Sequence, residues 1–284
     1  MYKGRFAPSP TGPLHFGSLV AALASYLDAR AAGGEWIVRM EDVDTPRSAP
    51  NADINILQTL EAFGFQWSAP VVYQGQRTEM YRAALERLKK HGVAYACSCS
   101  RREAGAGIYP GTCREGAQNA ERPLAWRIRT DGLTAAFEDR VFGHYRQHLA
   151  RDVGDFVVLR SDGLFAYQLA VVVDDAAQRI TDVVRGADLL DSTPRQLYLQ
   201  HLLQLPRPRY LHVPVVTNEA GEKLSKQTFA PTLNARDRIG ELRAALRFLG
   251  QPDQEGATPS AVLQAATIAW NPQAIPRRVS ATRE

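Results

Sequence analysis

Residues 7–19 read APSPTGPLHFGSL, and this stretch decides how the chain around it folds. Pro8, Pro10 and Pro13 lock φ, while Gly12 and Gly17 permit backbone angles closed to other residues, so the loop has a defined shape. The preceding GRFAPS reads as a strand. From Gly17 to Ala32, Leu19, Val20, Leu23 and Leu27 recur at helical spacing, and Gly33-Gly34 supply a stop. EWIVRMED (35–42) then reads as a second strand, nearly continuous in apolar residues up to its acidic end. Strand, rigid loop, helix, strand is the opening of a parallel α/β sheet. A helix entered from such a loop presents its first amides to an anion.

Working outward, PNADINILQTLEAFGF (50–65) and TEMYRAALERLKKHG (78–92) supply two more helices. The pattern then changes. Residues 93–123 are rich in Cys, Gly and Arg and carry no clear period, before LAWRIR and FVVLRSDGLFAYQL read as strands, the second folded at Ser161-Asp162-Gly163. RITDVVRG is a strand, TPRQLYLQHLLQL a helix capped by its Thr with Pro in the first turn, and LHVPVV a strand. Two helices near 237–249 and 259–270 precede a polar, irregular tail. The expected architecture is a doubly wound parallel, Rossmann-like α/β domain formed by residues 1–92 and 165–230. An insertion at 93–164 interrupts it, and a short helical extension covers 231–284.

The 284 residues, 45% hydrophobic and 23% charged, are ordinary for a globular protein with a full core. No apolar run approaches the ~20 residues that span a bilayer, and the N-terminus has no signal-like apolar stretch, so a cytoplasmic protein is expected. The net charge of +4 permits a polyanionic partner without demanding one. Only five of the 34 basic residues are lysines, and two of them, Lys223 and Lys226, fall within EKLSK. A chain that uses arginine almost everywhere has placed a compact ammonium there.

Three patterns carry chemistry. His15 can donate to a phosphate oxygen, and Gly17, lacking a side chain, lets a flat base or sugar approach the backbone. Lys226, in a segment of small and polar residues, can meet charge developing on phosphate oxygens during displacement at a nucleoside α-phosphate. Cys97, Cys99 and Cys113 lie within seventeen residues, an odd number that argues for metal or reactivity rather than a disulfide framework. Thiolates suit zinc in a closed four-ligand site, for which His91 or His144 would be ordinary fourth ligands. His144 and His148 also share i, i+4 spacing but lack an acidic partner motif and read as surface residues.

At this point the chain resembles the class I aminoacyl-tRNA synthetases, whose paired signatures are His-x-Gly-His and Lys-Met-Ser-Lys-Ser. RFAPSPTGPLHFGSL, RMEDVDTPR, FAYQLAVVVDD, ITDVVRGADLL and GEKLSKQ look like the glutamyl branch, in order, across residues 5–227. Ser18 replaces the second His of the first signature, Gln227 ends the second, and the chain stops where an anticodon-binding domain would begin. These departures are similar to a paralogous family within that branch.

The resemblance implies an enzyme that activates L-glutamate with ATP and Mg2+ and needs no tRNA for that step. It would pass glutamate to queuosine at the wobble position of tRNA(Asp). The pocket implied is Arg5, Ala7, Ser9, Glu41, Tyr167 and Arg185. Glu41 would accept the ammonium, and each arginine could clamp a carboxylate through two parallel hydrogen bonds. His15, Gly17, Ser18, Lys223, Ser225 and Lys226 would hold ATP, with His15 and Lys226 catalytic. The resemblance also names Tyr109 as fourth ligand to one structural zinc per chain. A cytoplasmic monomer is expected. Rival readings are a truncated glutamyl-tRNA synthetase charging a 3′ end, a nucleotidyltransferase acting on a small metabolite, and a zinc-bearing RNA-binding module.

Overall fold

The computed structural model describes residues 1–218, 221–224 and 231–282. Strand β1 (Lys3–Phe6) leads through the proline loop into helix α1 (Phe16–Ala31), and β2 (Glu35–Met40) returns parallel to β1 with Arg5 opposite Ile37. Helix α2 (Ala52–Ala62) carries the chain to β3 (Val72–Tyr73), which pairs parallel with β2. Helix α3 (Thr78–Lys90) buries Tyr81, Ala84, Leu85 and Leu88 along one stripe. Its last turn carries Arg87, Lys89 and Lys90, where the helix dipole favours positive charge.

The expected insertion, residues 93–164, contributes to two different bodies. β4 (Ala94–Cys97), the short helix α4 (Arg101–Ala104) and β5 (Ala125–Ile128) open the first. β6 (Thr134–Asp139) and β7 (Gly143–His148) form an antiparallel hairpin, followed by α5 (Leu149–Asp152) and β8 (Phe156–Leu159). β4, β5 and β8 make an antiparallel sheet of their own. The hairpin leaves that sheet and joins the parallel one, where Asp139 of β6 lies opposite Tyr210. Its alternating strands were absent from the sequence reading.

FAYQL was expected to continue a strand. Only the Leu159–Phe165 bridge does so, and from Tyr167 the chain is helix α6 (Tyr167–Ala177). A continuous apolar run suits a buried strand or a buried helix equally, and here Leu169–Val173 are buried around the helix. Strand β9 (Asp182–Gly186) and a 3-10 turn over Ala187–Ser192 lead to α7 (Thr193–Leu202). Thr193 does not cap this helix. It is fully buried in the first turn, and its hydroxyl is taken by Arg185. β10 (Arg209–Val213) pairs parallel with β9, and β11 (Val215–Thr217) follows at once.

Helices α8 (Arg238–Phe248) and α9 (Pro259–Ala269) pack against α1. Leu242, Leu246, Val262 and Leu263 thereby enter the same core as Leu19, Leu23, Leu27, Trp36 and Val38. Helix α1 is therefore buried nearly all round, and each such side chain contributes about 1.5–3 kcal/mol. The polar tail is not irregular throughout. β12 (Ser280–Thr282) runs parallel to β11, with Val216 opposite Ala281. A backbone bond from Thr181 N–H to the Lys3 carbonyl (3.0 Å) links the β3-β2-β1 sheet to the edge of the β9-β10-β6-β7 sheet. The strand order reverses between β1 and β9. A crevice beyond the carboxyl ends of the strands at such a point is where this architecture binds ligands.

Candidate active site and cysteine cluster

A cleft of about 620 Å³ opens there, and Arg5, Ala7, Ser9, His15, Gly17, Ser18, Glu41, Tyr167, Arg185 and Lys223 all line it. Ser225 and Lys226 lie outside the described residues. The proline loop is pinned from beneath, because Glu41 N–H donates to the Pro8 carbonyl and Ala49 N–H to that of Pro10, each at 2.9 Å. His15 is the N-cap of α1, its Nδ1 accepting from Ser18 N–H at 3.3 Å. With Nδ1 used as an acceptor, the neutral ring carries its proton on Nε2. Gly17 has a second reason to be glycine beyond the approach of a ligand. A Cβ there would meet the His15 ring at 3.1–3.2 Å, so its absence lets the imidazole fold back over the helix start.

The polar wall is asymmetric. Asp175, at the end of α6, accepts from Arg39 Nη1 (2.8 Å) and Arg5 Nε (3.3 Å). Burial would raise its carboxyl, but these two guanidinium groups hold it below the usual carboxylate value. Among the described residues Glu41 receives only a 3.3 Å contact from Arg39 Nη2. Burial outweighs the pull of Arg39 and Arg5 there and lifts its carboxyl above the ordinary value. Glu41 is thus an ionisable group whose desolvation its neighbours do not repay, a site that gains from an incoming cation.

Arg5 spends Nε on Asp175 and keeps Nη1 and Nη2 without a hydrogen-bond partner among the described residues. Arg185 is more heavily committed. Its Nε donates to His212 Nε2 (3.1 Å), and its Nη2 donates to Thr193 Oγ1 (2.8 Å) with the Leu189 carbonyl at 3.4 Å. Its Nη1 donates to Tyr167 Oη at 3.2 Å. What remains is part of the Nη1 edge beside a tyrosine hydroxyl, rather than the two-pronged fork expected from sequence. Lys223 reaches Asp188, also on the cleft wall, at 2.5 Å.

Sequence reasoning missed Asp175, Arg39, Thr193 and His212, which hold the wall residues from behind, and Asp188 on the wall itself. For the first there was a signal, because two adjacent acids closing the apolar run LAVVV are unusual on a buried helix face. Asp174, its neighbour, is fully buried and accepts from Gln74, Arg77 and Tyr81, tying α6 to α3.

The three cysteines converge. Their Sγ atoms lie within 4.8 Å of one another, with Cys99 and Cys113 3.6 Å apart. Tetrahedral thiolates about 2.3 Å from a zinc ion sit about 3.8 Å apart, so the set fits. Tyr109 Oη lies 3.4 Å from Cys97 Sγ and 3.3 Å from Cys99 Sγ. Among the described residues no histidine or carboxylate joins the cluster. His144 instead pairs with Glu138 (2.7 Å), and His91 ends α3. Burial opposes ionisation of Cys113, yet hydrogen bonds from backbone N–H groups of Gln118 and Ser98 and from the Tyr109 hydroxyl bring its thiol down to about 6. The Arg127 guanidinium stacks on the Tyr109 ring at 3.9 Å and donates to Cys97 Sγ at 3.4 Å, a counter-charge for surplus thiolate. No described helix is long and apolar enough to cross a membrane.

Comparison with known proteins gives the family. The family model for class I tRNA synthetases (E and Q), catalytic domain, matches residues 2–105 and 112–250. A Dechloromonas aromatica protein named glutamyl-Q tRNA(Asp) synthetase is 56% identical, over 98% of this chain and 96% of its own. A Pseudomonas aeruginosa protein of the same name is 57% identical, over 97% and 96%. Among solved structures, the glutamate-tRNA synthetase of Elizabethkingia anophelis superposes with a TM-score of 0.84 at 22% identity. It covers 99% of this chain and 68% of that one, a likeness of fold. Matched over most of its length by that family model, the chain belongs to the class I tRNA synthetases of the glutamate and glutamine type and carries their catalytic domain.

Proposed function

We propose that the chain activates L-glutamate with ATP, without RNA, and transfers the glutamyl group to queuosine at the wobble position of tRNA(Asp). The observation that carries this reading is the mismatched charge of the cleft wall. Arg5 and Arg185 keep donors for carboxylates, while Glu41, poorly compensated, faces the same space. An amino acid with one ammonium and two carboxylates answers all three. The names of relatives at 55–58% identity support queuosine and tRNA(Asp) as acceptor.

In the first step a glutamate carboxylate oxygen bonds to the α-phosphorus of ATP and the bond to pyrophosphate breaks, giving glutamyl-adenylate. In the second a hydroxyl of the queuosine cyclopentenediol attacks the acyl carbon, AMP leaves and the hydroxyl proton is lost. No protein nucleophile is required, so the residues act by positioning and by meeting charge. Arg5, Ala7, Ser9, Tyr167 and Arg185 shape the glutamate pocket, and Glu41 takes the ammonium. His15 offers Nε2–H to phosphate oxygens, and Gly17, Ser18 and Lys223 line the adjoining wall. Ser225 and Lys226 complete the nucleotide site by sequence, with Mg2+ accompanying ATP as co-substrate.

Cys97, Cys99, Tyr109 and Cys113 would hold one structural zinc, cross-linking β4 to the loop that follows it. The catalytic body works as a monomer in the cytoplasm. The decisive experiment offers radiolabelled glutamate and ATP with tRNA(Asp) that either carries or lacks queuosine. Incorporation confined to the queuosine-bearing RNA, and kept after removal of the 3′ adenosine, is expected. Incorporation that depends on the 3′ adenosine and ignores queuosine would establish a 3′-end synthetase instead.

A further inference from the structure

Behind Arg185 lies a buried chain of hydrogen bonds through Asp139, His212 and Thr193, which do not line the cleft. Asp139, at the end of β6, accepts at Oδ1 from Val141 N–H (3.0 Å) and Phe142 N–H (2.9 Å), and at Oδ2 from His212 N–H (3.1 Å). Its Oδ2 also lies 2.7 Å from His212 Nδ1. A carboxylate held by three backbone donors has one fixed orientation, and as an acceptor it requires the proton of His212 on Nδ1. His212 Nε2 is then a lone pair, and Arg185 Nε–H donates into it at 3.1 Å. Thr193 Oγ1 stands 3.3 Å from the same nitrogen and 2.8 Å from Arg185 Nη2, closing the chain on its other side. Asp139 and His212 are 3% and 0% exposed, so no water competes for these bonds.

We propose that His212, fixed in a single tautomer by Asp139, is a positioning residue that aims the Nη1 edge of Arg185 and the attached Tyr167 hydroxyl at the glutamate carboxylate. The inference rests on the reading of the cleft as a glutamate pocket. Three elements far apart in sequence are thereby coupled: the β6–β7 hairpin, β10 and β9. Burial and the nearby Arg185 depress His212 protonation against the pull of Asp139. The ring therefore stays an acceptor at neutral pH. If it were protonated, two donors would face each other across the bond to Arg185.

Two near-isosteric variants separate this role from a purely structural one. His212→Asn keeps an amide N–H where Nδ1 meets Asp139 but removes the acceptor for Arg185. His212→Gln restores an acceptor at the Nε2 position. ATP–pyrophosphate exchange should show KM for glutamate raised by about 10- to 100-fold in His212→Asn, the loss expected for one hydrogen bond to a charged group. KM for ATP should stay near the wild-type value, and His212→Gln should recover most of the glutamate affinity. Equal rises in both KM values, or the same behaviour in Asn and Gln variants of equal melting temperature, would overturn the proposal. Arg185→Lys, measured alongside, keeps the two readings apart. If it weakens glutamate binding while His212→Asn does not, only the positioning role fails. If Arg185→Lys leaves glutamate KM unchanged, the pocket reading itself fails.

Discussion

Replacing Glu41 by Gln tests the polarity of the cleft most directly. The carboxylate sits at the end of β2, largely buried, with a single 3.3 Å contact to Arg39 among the described residues, while Asp175 next to it takes bonds from both Arg39 (2.8 Å) and Arg5 (3.3 Å). If Glu41 accepts the ammonium of glutamate, the amide loses a hydrogen bond between charged groups. Such a bond is worth about 1.5–3 kcal/mol. At about 1.4 kcal/mol per decade, KM for glutamate rises by about 10- to 100-fold. The fold should not suffer, because the substitution removes a buried charge that its neighbours under-compensate, so the melting temperature should hold or rise.

The pH dependence adds a second signature. Burial raises the Glu41 carboxyl above its ordinary value. The acceptor is therefore ionised and competent above that raised value and becomes a protonated, non-binding acid as pH falls through it. In wild-type protein, pyrophosphate exchange at limiting glutamate should decline on acidification before the substrate's own carboxylates, near 4, begin to titrate. In Glu41→Gln this earlier arm disappears and only the lower one remains. The measurement is kcat/KM for glutamate across a pH series for both proteins, with melting curves as control. A variant whose KM stays near wild type and whose pH profile is unchanged refutes the assignment of Glu41 to the ammonium.

Pyrophosphate exchange with glutamate and ATP alone should proceed without added RNA, and strict dependence on tRNA would exclude RNA-free activation. Lys226→Ala should lower kcat for adenylate formation by about 10²–10³ with little change in KM for glutamate, since its ammonium meets charge that grows in the transition state. A raised KM with kcat intact would make Lys226 a ground-state ligand. Metal analysis should find about one zinc per chain, lost on replacing Cys97, Cys99 or Cys113 by Ser and weakened less by Tyr109→Phe, which leaves three thiolates. Metal-free protein that melts and turns over like the metal-bound form would rule out a structural zinc.

The elements nearest the opening stretch were the most legible. β1, α1 and β2 follow from proline, glycine and apolar spacing in a local window, and the cysteine cluster was visible as proximity along the chain. FAYQL could not be placed the same way, since an apolar run buried on all sides carries no period, and only its packing decided for α6. The hairpin of β6 and β7 was unread because much of it is polar and partly exposed. Its strands pair with each other over six residues, and the hairpin joins the parallel sheet where Asp139 meets Tyr210, some seventy residues away in sequence. Thr193 shows the same limit at atomic scale. Its position before Pro194 is that of a helix cap, yet the guanidinium of Arg185 claims its hydroxyl, a partner no local window contains.

The chemistry proposed for this protein rests on residue types legible in sequence: the proline loop with His15, the lysines of EKLSK, the thiols, and a set of arginines, a carboxylate and a tyrosine. What those groups have left to offer was decided only by the tertiary structure. A donor committed to a buried partner is unavailable to a ligand, and a carboxylate's affinity for a proton depends on which cations reach it first. Asp175 takes Arg5 and Arg39, leaving Glu41 short of positive charge. His212 and Thr193 take most of Arg185, leaving one edge exposed to the cleft. Those allocations depend on distances between β1, β2, α6, β9 and β10, set by how the sheets meet.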